Sequence, residues 1–139
     1  MKKRQLDQAK AYRKFFKTPI PYKEIDPKCR DMVKFFNNNN LPTIGSCQGH
    51  DNIMQNSFYI IFAECVIDKD IYNFLSIFDK HTTHTPFVGI FKKWMRKDCG
   101  IIVSNWSYGV EYGKYKMNQK FALIDYETMK NMLSVTNNC

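Results

Sequence analysis

The run Phe58–Val66, FYIIFAECV, is apolar at nearly every position. A strand with one wet face alternates apolar and polar residues, so an unbroken run like this has both faces covered and sits centrally in a sheet. The rest of the chain must then supply neighbouring strands and covering layers. Thr43–Cys47 reads as a short strand, and Phe87–Trp94 and Gly100–Tyr112 as strands rich in aromatic and β-branched residues. Lys120–Ile124 reads as one more strand. Helical spacing is found elsewhere. Residues 5–17 place Leu6, Ala9, Tyr12 and Phe16 on one side, and Thr18-Pro-Ile-Pro-Tyr22 ends that segment. Asp26-Pro27 supplies a cap and a first helical residue for a helix whose Cys29, Met32, Val33 and Phe36 form the buried stripe. Asn37–Asn40 ends it, because asparagine tolerates the left-handed conformation. Asp68 is read as the cap of a helix bearing Ile71, Phe74, Leu75 and Phe78, and Asp125 as the start of a last one with Met129, Met132 and Leu133 inward.

With no internal repeat and no linker, these elements predict a single α+β domain over residues 1–139, a mainly antiparallel sheet with helices packed on its faces. Residues 1–22 are its basic N-terminal helix and proline-containing connection, and 136–139 a polar tail. With 44% hydrophobic residues and 15% of all residues aromatic, a core can form and disorder is excluded as the global state. No apolar run reaches the roughly twenty residues of a membrane span, and the basic start has no apolar region behind it, so a cytoplasmic protein without a secretory signal or membrane contact is expected. Five cysteines at irregular spacing fit reduced thiols better than a disulfide framework.

The net charge of +8 is unevenly spread: residues 1–34 hold eleven of the 21 Lys and Arg against four acids. Such asymmetry points to an anionic partner, a nucleic acid, a nucleotide or other phosphorylated ligand, or an acidic protein surface, although a solvated basic face is the plain alternative. The segment Phe91-Lys-Lys-Trp-Met-Arg-Lys97 interleaves base and aromatic, and Trp106, Tyr108 and Tyr112 recur at even spacing nearby. Basic groups pair with phosphates and aromatics stack bases, while alternate aromatics can equally face a core.

Chemistry is concentrated in LPTIGSCQGHDN, residues 41–52. A strand ending near Cys47 would hand over to a turn in which Gly49 adopts positive φ, gathering Ser46, Gln48, His50, Asp51 and Asn52 at the sheet's end. Three chemistries fit. Cys47 activated by His50 would make a nucleophile, against the plain reading of Cys47 as a small buried hydrophobe. Cys47-x-x-His50 completed by Cys65 or by His81 and His84 would make a metal site, but the donor mixture is unusual and no metal or cofactor is assigned. A polar turn with backbone N–H groups and the side chains of Ser46, Gln48, His50 and Asn52 would orient an anion.

The pattern Thr43-x-x-Ser46-Cys47-Gln48-Gly49-His50, followed by Phe58-Tyr59-Ile60-Ile61-Phe62, resembles small uncharacterised proteins of phages and other mobile elements that share T-x-x-S-C-x-G-H, a short loop and an aromatic-aliphatic strand. The likeness covers residues 41–64. More remotely, Ser46-Cys-Gln-Gly49 resembles the S-C-S-G-R turn of the wybutosine-synthesis tRNA methyltransferase family, where the turn belongs to a site for S-adenosylmethionine and tRNA; His50 stands where that family has arginine. The first resemblance implies no established activity, although a protein of that kind could sequester a host nucleotide signal or block a host defence component, and the second adds a push toward nucleotide-like ligands.

The expected function is therefore non-catalytic binding of a nucleotide-like or phosphate-bearing ligand. Ser46, Gln48, Gly49, His50 and Asn52 would form one wall, and Lys92, Lys93, Trp94, Arg96, Trp106 and Tyr108 the other. The alternatives are a small enzyme acting on a nucleotide or RNA through Cys47 and His50, and an inhibitor that binds a host protein.

Overall fold

The computed structural model describes residues 22–51, 55–78, 88–96 and 99–137. The basic segment 5–17, Asn52, His81 and His84 lie outside them. Four strands form one antiparallel sheet: β1 Thr43–Cys47, β2 Phe58–Phe62, β3 Gly89–Arg96 and β4 Ile102–Val110, in the spatial order β1-β2-β4-β3. The helices among the described residues are α1 Pro27–Asn38, α2 Asp68–Ser76 and α3 Tyr115–Asn137, with a short 3₁₀ turn at Tyr22–Glu24. The architecture is α+β.

β2 lies between β1 and β4, as its apolar run requires. Phe58, Ile60 and Phe62 point to one face with Tyr108 and Val110 of β4, and all five are buried. All three described helices cover that face. Phe36 of α1 meets the rings of Phe62 and Tyr108 at 5.0 and 5.3 Å, Phe74 of α2 packs on Phe35 and Phe36, and Ala122 of α3 accepts a hydrogen bond from Tyr108. Edge-to-face aromatic pairs of this kind add to the area they bury.

α1 carries the expected stripe, with Cys29, Met32, Val33 and Phe36 at 2% exposure or less. Its end is fixed by asparagines. Asn40 adopts φ 63°, and Asn37 holds Thr43 through two bonds, Nδ2 to Oγ1 at 3.0 Å and Oδ1 from Thr43 N–H at 3.3 Å. The start of β1 is thereby tied to the last turn of α1.

Several boundaries differ from the sequence expectation. β2 stops at Phe62: the Ala63 N–H still donates to the Pro42 carbonyl just before β1, but Pro42 has no N–H to return the bond, and Ala63–Val66 closes a turn. β4 is two residues shorter at each end than 100–112, and β3 runs on to Arg96. Ile67, not Asp68, caps α2: its N–H donates to the Asp70 carboxylate, while Asp68 faces outward. The strand at Lys120–Ile124 and the helix start at Asp125 are replaced by one helix, α3, which reaches Asn137 inside the segment read as a tail. Asn118, Ala122, Asp125, Tyr126 and Met129 are its buried face, a 3.6-residue period that crosses both segments.

Candidate functional site

Two surfaces carry the chemistry expected from the sequence. The first is the turn after β1. Cys47 is the last residue of the strand and is partly buried. Gly49 follows at φ +84°, and a Cβ there would stand 2.8 Å from the Asn56 carbonyl oxygen, so the position is closed to other residues on both counts. His50 comes back out, with 47% of its side chain exposed, and its N–H donates to the Gln55 carbonyl at 2.7 Å.

The start of α1 closes against this turn. The N-cap residue Asp26 makes no side-chain bond to its own helix. Its Oδ2 accepts the Gln48 N–H at 3.0 Å, and the Lys28 N–H in the first turn of α1 donates to Gln48 Oε1 at 3.1 Å. An orphan helix N–H and a turn N–H, both otherwise unsatisfied, are thus paired reciprocally. Arg30 locks the approach to Asp26 by donating from Nε to the Tyr22 carbonyl at 2.7 Å and from Nη2 to those of Lys23 and Ile25.

α3 supports the turn from behind. Gln119 Nε2 donates to the Gly49 carbonyl at 3.2 Å, and Gln119 Oε1 accepts from Lys28 Nζ at 2.8 Å. Asn118 Nδ2 donates to the Asn56 carbonyl at 2.7 Å, and its Oδ1 accepts the Tyr112 N–H at 2.8 Å. Sequence reasoning missed both residues because it placed them before a strand; two adjacent buried amides at the start of a helical period were the available signal.

Three donor atoms meet where β1 ends and α1 begins. One each from Asp26, Cys47 and His50 lie within 4.8 Å of one another, with His50 Nε2 at 3.7 Å from Asp26 Oδ2. These are the described residues that could hold a metal ion. The Gly49 N–H donates to Cys47 Sγ at 3.4 Å. Cys29 lies beneath: burial, and after it the charges of Asp26 and Cys47, pushes its thiol up to about 12. Burial likewise raises the neighbouring Tyr59 phenol. Cys29 is therefore a protonated core thiol at neutral pH.

Of the turn residues expected to grip a ligand, Gln48 has its side-chain Oε1 and backbone N–H occupied within the fold, Gly49 is buried, and Ser46 stands against Cys29. His50 is exposed, and the Cys47 side chain lies largely buried beside it. Cys65 follows the far end of β2 from Tyr59, the partner of Cys47, so it cannot complete a site with Cys47 and His50.

The second surface is β3. Antiparallel pairing puts Lys92, Trp94 and Arg96 on one face of this edge strand, opposite Trp106, Ser104 and Ile102 of β4. Trp94 is 75% exposed. Lys92 Nζ lies 5.8 Å from the Trp106 ring centroid and 3.0 Å from Asp68 Oδ1, which also accepts the Trp106 indole N–H at 2.8 Å. Those two donors hold the Asp68 carboxyl below the usual carboxylate range. Lys93 points the other way and pairs with Glu111 at 3.0 Å. Tyr108 does not belong to this surface. It is 1% exposed, and its hydroxyl donates toward Asp125 Oδ2 at 2.9 Å, with the Ala122 carbonyl at 3.2 Å.

The two surfaces do not face each other as walls of one pocket. β1 and β3 are opposite edges of the sheet, about 14 Å apart across three strand spacings, and Lys92 lies a further 10 Å or so along the strands from the level of Cys47. No described helix is long and apolar enough to cross a membrane. Compared with known proteins, the chain matches no family model, and no curated protein or solved structure is significantly similar to it.

Proposed function

We propose that this protein binds a nucleotide-like, phosphate-bearing ligand, and that β3 rather than the turn after β1 is the binding platform. The observation that carries the reading is the exposed indole of Trp94, flanked at alternate positions by Lys92 and Arg96 on the same strand face. An open aromatic face stacks a base irrespective of its identity, and cations on either side of it meet the adjoining phosphates. The edge position of β3 leaves the platform unobstructed by a further paired strand among the described residues. The overall charge of +8 adds long-range attraction for a polyanion.

The test is a titration of tryptophan fluorescence with a short single-stranded oligonucleotide and, separately, with mononucleotides, at several salt concentrations. Quenching that weakens steeply with salt supports the reading. Substitution Trp94→Ala is expected to weaken binding by roughly 5- to 150-fold, the range of a lost base–aromatic stack. Absence of quenching by either ligand class at low salt refutes it.

A further inference from the structure

We propose that Asp26, Cys47 and His50 form a binding site for a zinc-class divalent cation, with one coordination position left open to water or an anionic oxygen. The geometry separates this from a catalytic relay. In a Cys–His–Asp relay the imidazole stands between its partners and uses one nitrogen for each, which keeps sulfur and carboxylate about 7 Å or more apart. Here the sulfur, a carboxylate oxygen and an imidazole nitrogen are all within 4.8 Å of one another. They surround a common point.

The spacing also fits the ion. A nitrogen and an oxygen bound to tetrahedral zinc at its usual bond lengths are separated by about 3.3–3.5 Å. His50 Nε2 and Asp26 Oδ2, at 3.7 Å, are too far apart for a good hydrogen bond and within about 0.2–0.4 Å of such an edge. One thiolate, one imidazole and one carboxylate form a borderline donor set suited to zinc, and three protein ligands are what an open zinc site carries.

Each ligand is oriented by a second contact. Asp26 accepts the Gln48 N–H, Cys47 Sγ accepts the Gly49 N–H, and the His50 main chain is fixed to Gln55. An N–H directed at sulfur fixes where the sulfur points, and metal binding would release the thiol proton to solvent. The Cys47-x-x-His50 knuckle comes from one turn, and its third ligand comes from the cap of α1, twenty-one residues before Cys47. That distance in sequence is why spacing alone does not reveal Asp26. The site is independent of the β3 platform, so Trp94→Ala leaves it intact.

The experiment uses the full chain. Zinc is added to the reduced protein, and iodoacetamide labelling of each cysteine is followed by peptide mass mapping. Zinc is expected to slow labelling of Cys47 at least about tenfold, as coordination removes the free thiolate, while exposed Cys99 reacts unchanged. Equal Cys47 rates with and without zinc overturn the proposal. In parallel, cobalt(II) should give a thiolate-to-metal charge-transfer band and tetrahedral visible bands, with Cys47→Ser abolishing the first. Asp26→Asn keeps an acceptor for Gln48 and should weaken cobalt affinity tenfold or more. A charge-transfer band that survives in Cys47→Ser, or cobalt affinity unchanged in both Asp26→Asn and His50→Gln, equally overturns it.

Discussion

Asp26 Oδ2 and the Gln48 N–H are joined at 3.0 Å across twenty-two residues, and the Lys28 N–H returns the contact to Gln48 Oε1. Helix caps are ordinarily local, but here the cap of α1 is supplied by the turn after β1. Helix start and turn therefore form one structural unit, and the donors gathered there keep their positions only together.

Removal of either half of that exchange should destabilise the fold modestly. Asp26→Ala and Gln48→Ala are each expected to cost about 1 kcal/mol, the usual value of a lost cap. For a chain of this length that is a fall of a few degrees in Tm, measurable by circular dichroism. Asp26→Asn retains an acceptor and should fall less than Asp26→Ala; equal losses would show that the exchange does not stabilise the fold.

Gly49→Ala should cost more. The substitution forces a Cβ to within 2.8 Å of a backbone carbonyl oxygen at φ +84°, where only a shift of the chain relieves the clash. Left-handed strain alone is of order 1 kcal/mol, and the backbone displacement adds to it. A denaturant midpoint lowered by less than that of Gln48→Ala would contradict the close packing of Gly49 on Asn56 and Ser57.

Local patterns made much of this legible in the sequence. The unbroken apolar run placed β2 centrally, and the stripe of Cys29, Met32, Val33 and Phe36 located the buried side of α1. Positive φ at Gly49 followed from the turn. What escaped was non-local. Asp26 reads as an ordinary cap until β1 brings Gln48 and His50 beside it. Tyr108 and Trp94 look alike as aromatics on strands, and only the strand order separates a core residue from an exposed one. Lys120–Ile124 is too short an apolar run for periodicity to tell strand from helix.

Stability should decline on the alkaline side. Burial raises Cys29 to about 12 and raises Tyr108 well above 10, the latter with the adjacent Asp125 charge opposing ionisation. A raised native value means that the folded chain holds a proton the unfolded chain has already released. The associated stability is complete below the unfolded value and is lost as pH rises toward the folded one. Urea unfolding should therefore weaken from about pH 9 upward, with each group contributing up to about 1.4 kcal/mol per pH unit. Cys29→Ala should flatten the slope that begins near pH 9, whatever it does to the neutral plateau. An unchanged slope would mean that Cys29 ionises freely in the native state.

Tyr108→Phe and Trp94→Ala should separate core from platform. Tyr108 is enclosed, and its hydroxyl meets Asp125 and the Ala122 carbonyl, so deletion of the oxygen should cost about 1–3 kcal/mol by weakening a buried hydrogen bond to a charged group. Trp94 projects from the edge strand with three-quarters of its surface already in water, so its truncation should change stability by no more than about 0.5 kcal/mol. Chemical unfolding of the two variants beside the nucleotide titration gives a crossed result. Tyr108→Phe loses stability and keeps binding, and Trp94→Ala keeps stability and loses binding. If Trp94→Ala instead unfolds as readily as Tyr108→Phe, its indole is a packing element and β3 is not a surface built to receive a base.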